Sequence, residues 1–142
     1  MKIEINKARE NDYELLSTIY LQERTTTFYW IDSAKFQLKD FERDTKDEFI
    51  LTAKLDNVIV GFISLYVKAN FIHHLYVDQK FHGKGIGTAL LEAAKKKLHF
   101  PLTLKCLENN TKAVSFYLKN GFVQKERGLS HQGGYILFEL LK

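Results

Sequence analysis

Leu75-Tyr76-Val77-Asp78-Gln79-Lys80-Phe81-His82-Gly83-Lys84-Gly85-Ile86-Gly87-Thr88-Ala89-Leu90-Leu91 is the stretch that decides how this chain folds. An apolar strand empties through a glycine-rich turn directly into a helix. Glycines at 83, 85 and 87 remove the side chains that would hold a ligand away from the main chain. The first turn of the helix behind them offers N–H groups without intrahelical partners, at the positive end of the helix dipole. The stretch therefore predicts an anion site, with a pyrophosphate as its natural guest.

Two familiar glycine motifs fail on spacing. A P-loop needs a Gly-Lys-Ser/Thr triplet, but Lys84 is followed by Gly85 and Ile86. A dinucleotide fingerprint needs a third glycine where Thr88 stands. What remains is His82-x-x-Gly85-x-Gly87 after Leu75-x-Val77. This resembles the acetyl-coenzyme A signature of the GNAT superfamily of N-acetyltransferases, which reads Gln or Arg, two residues, Gly, one residue, Gly or Ala. A second match follows in order: Leu104-x-Cys106-x-x-x-Asn110-x-x-Ala113-x-x-Phe116-Tyr117-x-x-x-Gly121-Phe122. With the opening from Ile5 to Asp12 and the strand Val58-Ile59-Val60-Gly61-Phe62, the resemblance spans nearly the whole chain. Two positions depart from the pattern. His82 replaces the usual Gln or Arg, and Gln79 stands where Pro commonly follows the strand; neither removes the main-chain donors of residues 83–88.

At 142 residues with 45% apolar composition, the chain reads as a single domain, residues 1–142, with a real core and no linker or repeat. Its opening residues resemble neither a signal nor a transit peptide. No apolar run approaches the roughly 18 residues a bilayer crossing requires. The single cysteine, Cys106, rules out an internal disulfide framework and a cysteine zinc cage. The expected compartment is the cytoplasm, with no membrane partner. Charge is divided unevenly. Residues 1–57 hold 9 basic and 12 acidic groups, whereas residues 58–142 hold 12 and 5, so the basic half carries the phosphate loop. Lys95, Lys96 and Lys97 read as the last turn of a helix opposing its dipole.

Hydrophobic periodicity predicts a strand over residues 2–8, a helix with Leu15, Leu16, Ile19 and Tyr20 on one face, and a second helix over residues 33–45 with Phe36 and Phe41 inward. Strands follow at 49–55 and 58–67, joined at Asp56-Asn57, and at 71–77. Then come a helix at 85–99, a strand at 102–107, a helix at 111–120, a strand at 122–127, a loop at 128–134 and a final strand at 135–141. Strands in meander, then separated by helices, give the α+β class. The resemblance sharpens this to a GNAT-like (acyl-CoA N-acyltransferase) fold, a mixed central sheet of about seven strands with about four helices.

The resemblance also implies roles. Acetyl-CoA would be the co-substrate, held by the main chain of Leu75 and Val77 and by His82, Gly83, Lys84, Gly85, Ile86, Gly87 and Thr88. Asn110 would cap the following helix and touch the cofactor, as would Tyr117. Tyr117 occupies the place of the tyrosine that protonates the departing thiolate, and His73 falls where some members carry a base, with His74 or ordered water as the alternatives. A histidine neighbour, His74, is expected on the opposite face of the strand and is a candidate for the acceptor side. Arg24-Thr25-Thr26-Thr27-Phe28-Tyr29-Trp30 lies where the family places its acceptor wall, so Phe28 and Trp30 are substrate candidates, with core packing as the bland alternative. Cys106 reads as a small buried hydrophobe. The expected activity is acetyl transfer to a primary amine of a small molecule or peptide by direct attack in a ternary complex, with no metal. A homodimer is possible, with the final strand pairing across a subunit boundary. Two other classes stay open from sequence: a noncatalytic acyl-CoA sensor or interaction domain, and a nucleic-acid binder suggested by a pI of about 9.1 but lacking any recognition motif.

Overall fold

The structure is a computed structural model and describes residues 2–142. The chain begins with β1 (Ile3–Lys7), α1 (Tyr13–Thr27) and α2 (Asp40–Asp44), then runs through a meander of β2 (Phe49–Leu55), β3 (Val58–Tyr66) and β4 (Phe71–Val77). It continues as α3 (Ile86–Lys97), β5 (Leu102–Leu107), α4 (Thr111–Lys119), β6 (Val123–Ser130) and β7 (Gly133–Leu140). One seven-stranded sheet has the order β1-β2-β3-β4-β5-β7-β6. Only β4 and β5 pair in parallel. The expected mixed α+β architecture of seven strands and four α-helices is the one observed.

Helices cover both faces. α3 buries Ile86, Leu90, Leu91 and Ala94 against Val60, Ile63, Leu65 and Leu102, and Tyr117 of α4 joins the same cluster. Leu16, Ile19 and Tyr20 of α1 meet Phe41, Ile50 and Phe62 on the other face. Asp56 and Asn57 both take positive φ, 51° and 67°, as the two-residue turn between β2 and β3 requires.

The site depends on a fault in the sheet. β4 and β5 pair only at Phe71 with Thr103 and Ile72 with Leu104. Beyond that point β5 continues on β7, pairing through to Leu107, while residues 73–77 of β4 have no partner on that edge. A wedge opens between the two strands, and α4 and the turn after β4 border it.

Three local expectations are corrected. The helix foreseen over residues 33–45 is a 3₁₀ turn, Ser33–Lys35, followed by the five-residue α2. The side chain of Asp40 accepts the Gln37 N–H at 2.9 Å, and Arg24 donates to the Gln37 carbonyl at 3.4 Å, so side chains claim groups a continuous helix would use. Phe36 and Phe41 are buried as foreseen.

Residues 128–134 are not a loop, because β6 runs to Ser130 and β7 starts at Gly133. Gly128 sits in the strand because a Cβ there would lie 2.4 Å from the Tyr135 hydroxyl, which crosses over it. The third correction concerns His73 and His74. Ser64 pairs with His74 and Leu65 with Ile72, which leaves His73 as the extra residue of a β-bulge. Both imidazoles consequently lie together, ring centroids 3.9 Å apart, and not on opposite faces.

Candidate active site

The turn after β4 is built for close approach. Gly83 and Gly85 have φ of +78° and +81°, a region that L-residues with side chains rarely enter, and no neighbouring atom lies within 4 Å of where a Cβ would stand on either. Gly85 is the N-cap of α3 and supplies no capping side chain. No hydrogen bond within the described residues engages the N–H groups of residues 83–88, while the Gly85 carbonyl accepts from Ala89 at 3.0 Å. Six consecutive donors therefore lack a partner at a helix N-terminus.

Five of these six residues, all but Lys84, line a cleft of about 650 Å³. One wall is formed by Leu75, Tyr76, Val77 and the glycine turn, the other by residues 109–113, Phe116 and Tyr117, and Glu23, Thr26, Thr27 and Tyr29 stand along its length. Asn110 accepts the Ala113 N–H at 3.4 Å and caps α4 while lining the cleft, so both expected positions coincide in one residue.

Tyr117 is held on three sides by Phe116, Phe122 and Phe138 at ring distances of 5.3, 5.4 and 5.9 Å. Among the described residues no fully buried side-chain polar atom lacks a partner, and the Tyr117 hydroxyl forms no hydrogen bond within the chain, so it opens into the cleft. Burial, with smaller contributions from Cys106 and Tyr76, pushes the phenol well above its ordinary range and keeps the proton in place. Tyr76 is raised in the same way, chiefly by burial. Burial also takes the Cys106 thiol up to about 12, which leaves it protonated and unreactive.

Of the other positions singled out from sequence, Leu75, Val77, His82, Gly83, Gly85, Ile86, Gly87 and Thr88 line the cleft. Lys84 is exposed and lies outside the lining. His82 turns its ring back, with Nε2 at 2.7 Å from the Val77 carbonyl and 3.6 Å from Glu23. The three adjacent aromatics take different tasks. Phe28 is buried against Phe36, Trp30 donates its indole N–H to the Gln132 carbonyl at 2.9 Å, and only the exposed Tyr29 lines the cleft.

His73 and His74 stand just upstream of the lining. His73 Nδ1 meets Glu48, whose other oxygen accepts from the Ser64 hydroxyl. His74 is half-buried against Tyr20 and donates Nε2–H to the Asp44 carbonyl at 3.2 Å. Burial and the neighbouring His73 lower its pKa to about 4, so it is neutral above that value. Glu48, His73 and His74 also bring one possible metal-ligand atom each within 4.8 Å of one another, although Glu48 and His73 already satisfy each other.

Two carboxylates escaped the sequence reading. Glu23 lies on the inward face of α1, in register with Leu16, Ile19 and Tyr20, and that spacing was its only signal. Its Oε2 accepts the Gln79 N–H at 3.1 Å, and burial raises its pKa. Glu48 gave no signal, because its partners lie 16 and 25 residues away.

The profile of the Acetyltransferase (GNAT) family matches residues 13–122. The chain is 31% identical over 125 residues, covering 86% of itself and 84% of the relative, to the peptidyl-lysine N-acetyltransferase YjaB of Salmonella typhimurium. It is 42% identical over 59 residues to the uncharacterized N-acetyltransferase MJ1207 of Methanocaldococcus jannaschii, a match that covers 39% of this chain and only 26% of that protein. The PaiA N-acetyltransferase of Thermoplasma acidophilum, solved in complex with coenzyme A, superposes over 100% of both chains with a TM-score of 0.78 at 26% identity. A glycine turn of free amides, a splayed β4–β5 pair and a family profile spanning most of the sequence lead to one assignment: the chain belongs to the GNAT family of acetyltransferases.

Proposed function

We propose that this protein moves the acetyl group of acetyl-CoA to a primary amine, on a small molecule or a peptide, by direct attack within a ternary complex. The observation that carries the reading is one continuous cleft with six unclaimed main-chain N–H groups at one end and a solvent-reachable Tyr117 hydroxyl on its wall. The residues present fit the cofactor. Residues 83–88 would hold its pyrophosphate, the open edge of β4 at Leu75 and Val77 would pair with the pantetheine amides, and Asn110 would border the arm. The coenzyme A complex of the PaiA relative supports this reading.

In the proposed reaction the amine nitrogen attacks the thioester carbon, a C–N bond forms and the C–S bond breaks. Tyr117 gives its hydroxyl proton to the departing sulfur. Burial makes the phenol a weak acid, but a thiolate released in the same dry cleft is destabilised by the same cause and accepts the proton readily. His73 takes the proton of the incoming ammonium through water. It precedes Leu75 by two residues, at the bulge of β4, and its exposed imidazole is open to water. Glu23 places a buried carboxyl in the wall and favours a cationic acceptor; the peptidyl-lysine acetyltransferase among the relatives supports an amine.

Coenzyme A release monitored with a thiol reagent, across a panel of alkylamines and lysine peptides, tests the proposal. Amine-dependent release that disappears in Tyr117→Phe supports it. Tight acetyl-CoA binding without release for any amine would favour a noncatalytic acyl-CoA sensor. We further propose a cytoplasmic location; no described helix is long and apolar enough to cross a membrane.

A further inference from the structure

The group Ser64, Glu48, His73 lies beside the cleft and is not accounted for by cofactor binding. We infer that Glu48, braced by Ser64, is a positioning residue that holds His73 in its Nδ1–H tautomer and leaves Nε2 as the atom that accepts the proton. This inference rests on the reading of His73 as the base.

The geometry comes from the bulge. As the unpaired residue of β4, His73 swings onto the face where Ser64 of β3 and Glu48, just before β2, already stand. The Glu48 side chain is only 6% exposed and that of His73 is 43% exposed, so the carboxylate is shielded while the imidazole reaches water. Burial alone would raise the Glu48 pKa, but the hydrogen bonds from His73 and Ser64 outweigh it and hold the group below the usual carboxylate value. Glu48 is therefore an ionised carboxylate with no proton to donate.

The tautomer follows from that charge. Both partners of an ionised carboxylate must be donors, so Ser64 presents its O–H and His73 presents Nδ1–H. In the neutral imidazole the lone pair is then on Nε2. The remaining groups facing His73 do not compete for the proton. His74, stacked at 3.9 Å, is neutral and spends its Nε2–H on the Asp44 carbonyl, and the Asp44 carboxylate is taken by Tyr20 and Arg43. In the step proposed above, an ammonium proton passes through water to Nε2, the freed nitrogen lone pair attacks, and Nε2 returns the proton to solvent.

Long-range 1H–15N correlation spectra of the ¹⁵N-labelled protein near pH 7.5 read the tautomer without any turnover. The inference predicts a protonated Nδ1 and an unprotonated Nε2 for His73 in the wild type, and a mixture of tautomers in Glu48→Gln. In parallel, Glu48→Gln should lower kcat at least about tenfold with KM for acetyl-CoA within about twofold, and Glu48→Asp should restore part of the loss. Ser64→Ala should shift the tautomer ratio in the same direction, and it supplies the test if Glu48→Gln fails to fold. A wild-type His73 protonated on Nε2, or a Glu48→Gln enzyme with unchanged kcat, overturns the inference. Unchanged turnover in His73→Ala would instead remove His73 from the reaction and leave the spectra to decide the positioning.

Discussion

The two ends of the cleft are made of different material. At the glycine turn the ligand-facing groups are main-chain N–H, and side chains contribute by being absent. At the proposed acceptor end the groups are side chains: Tyr117 and Glu23 line the cleft, and His73 with Glu48 stands just upstream, four separate segments in all. A site made of backbone depends on φ and on helix position, so it tolerates exchange of the side chains that border it. A site made of side chains depends on each atom, and substitutions there should be felt in turnover more than in cofactor affinity.

The largest effect expected from this contrast lies at the acceptor end. Tyr117→Phe removes the hydroxyl while keeping the ring packing, and it should lower kcat about a hundredfold with coenzyme A affinity unchanged. An equal fall in both would mean that the residue serves binding, and the contrast would break.

His74 provides the next test, in stability. Its folded pKa, about 4, lies below the unfolded value of about 6.5, so the unfolded chain binds more protons between these values. Its contribution is fully present above pH 6.5 and is lost as pH falls toward 4, on the order of 3 kcal/mol in all. A series of thermal melts over that range should show this decline, and His74→Phe should flatten it. A wild-type melting temperature constant from pH 7 to 4 would contradict the burial assigned to this ring.

At the backbone end, Gly85→Ala places a Cβ at φ +81° at a cost of about 1–2 kcal/mol. Part of that strain should appear as coenzyme A binding about tenfold weaker by calorimetry, with kcat at saturation preserved. The smallest effect belongs to Lys84, which is exposed and outside the cleft wall. Lys84→Ala should change the dissociation constant less than about threefold at physiological salt, and a large loss would mean that side-chain charge, not main-chain donors, holds the phosphates.

The same division explains what could be read from the chain beforehand. Gly83, Gly85 and Gly87 announce a backbone site because few other roles require glycine at that spacing, and Asn110-x-x-Ala113 announces a capped helix start. Gly128 misleads, since a glycine that makes room for Tyr135 in a hairpin looks like a glycine that turns the chain. The short α2 escapes because Asp40 and Arg24, 16 residues apart, compete for the main chain of Gln37. Glu48 and the pairing of the two histidines escape for a related reason. A bulge is a property of two strands in register, and no local pattern in Phe71–Val77 reveals that His73 is the residue left over.

The central claim is that the amides of residues 83–88 receive the diphosphate of coenzyme A. Titrating the ¹⁵N-labelled protein with coenzyme A and following each amide resonance tests it directly. The account predicts that the largest shifts fall on residues 83–88, with smaller ones at Leu75, Val77 and Asn110. Saturable binding that leaves those six amides unmoved, or no binding at all, would contradict it.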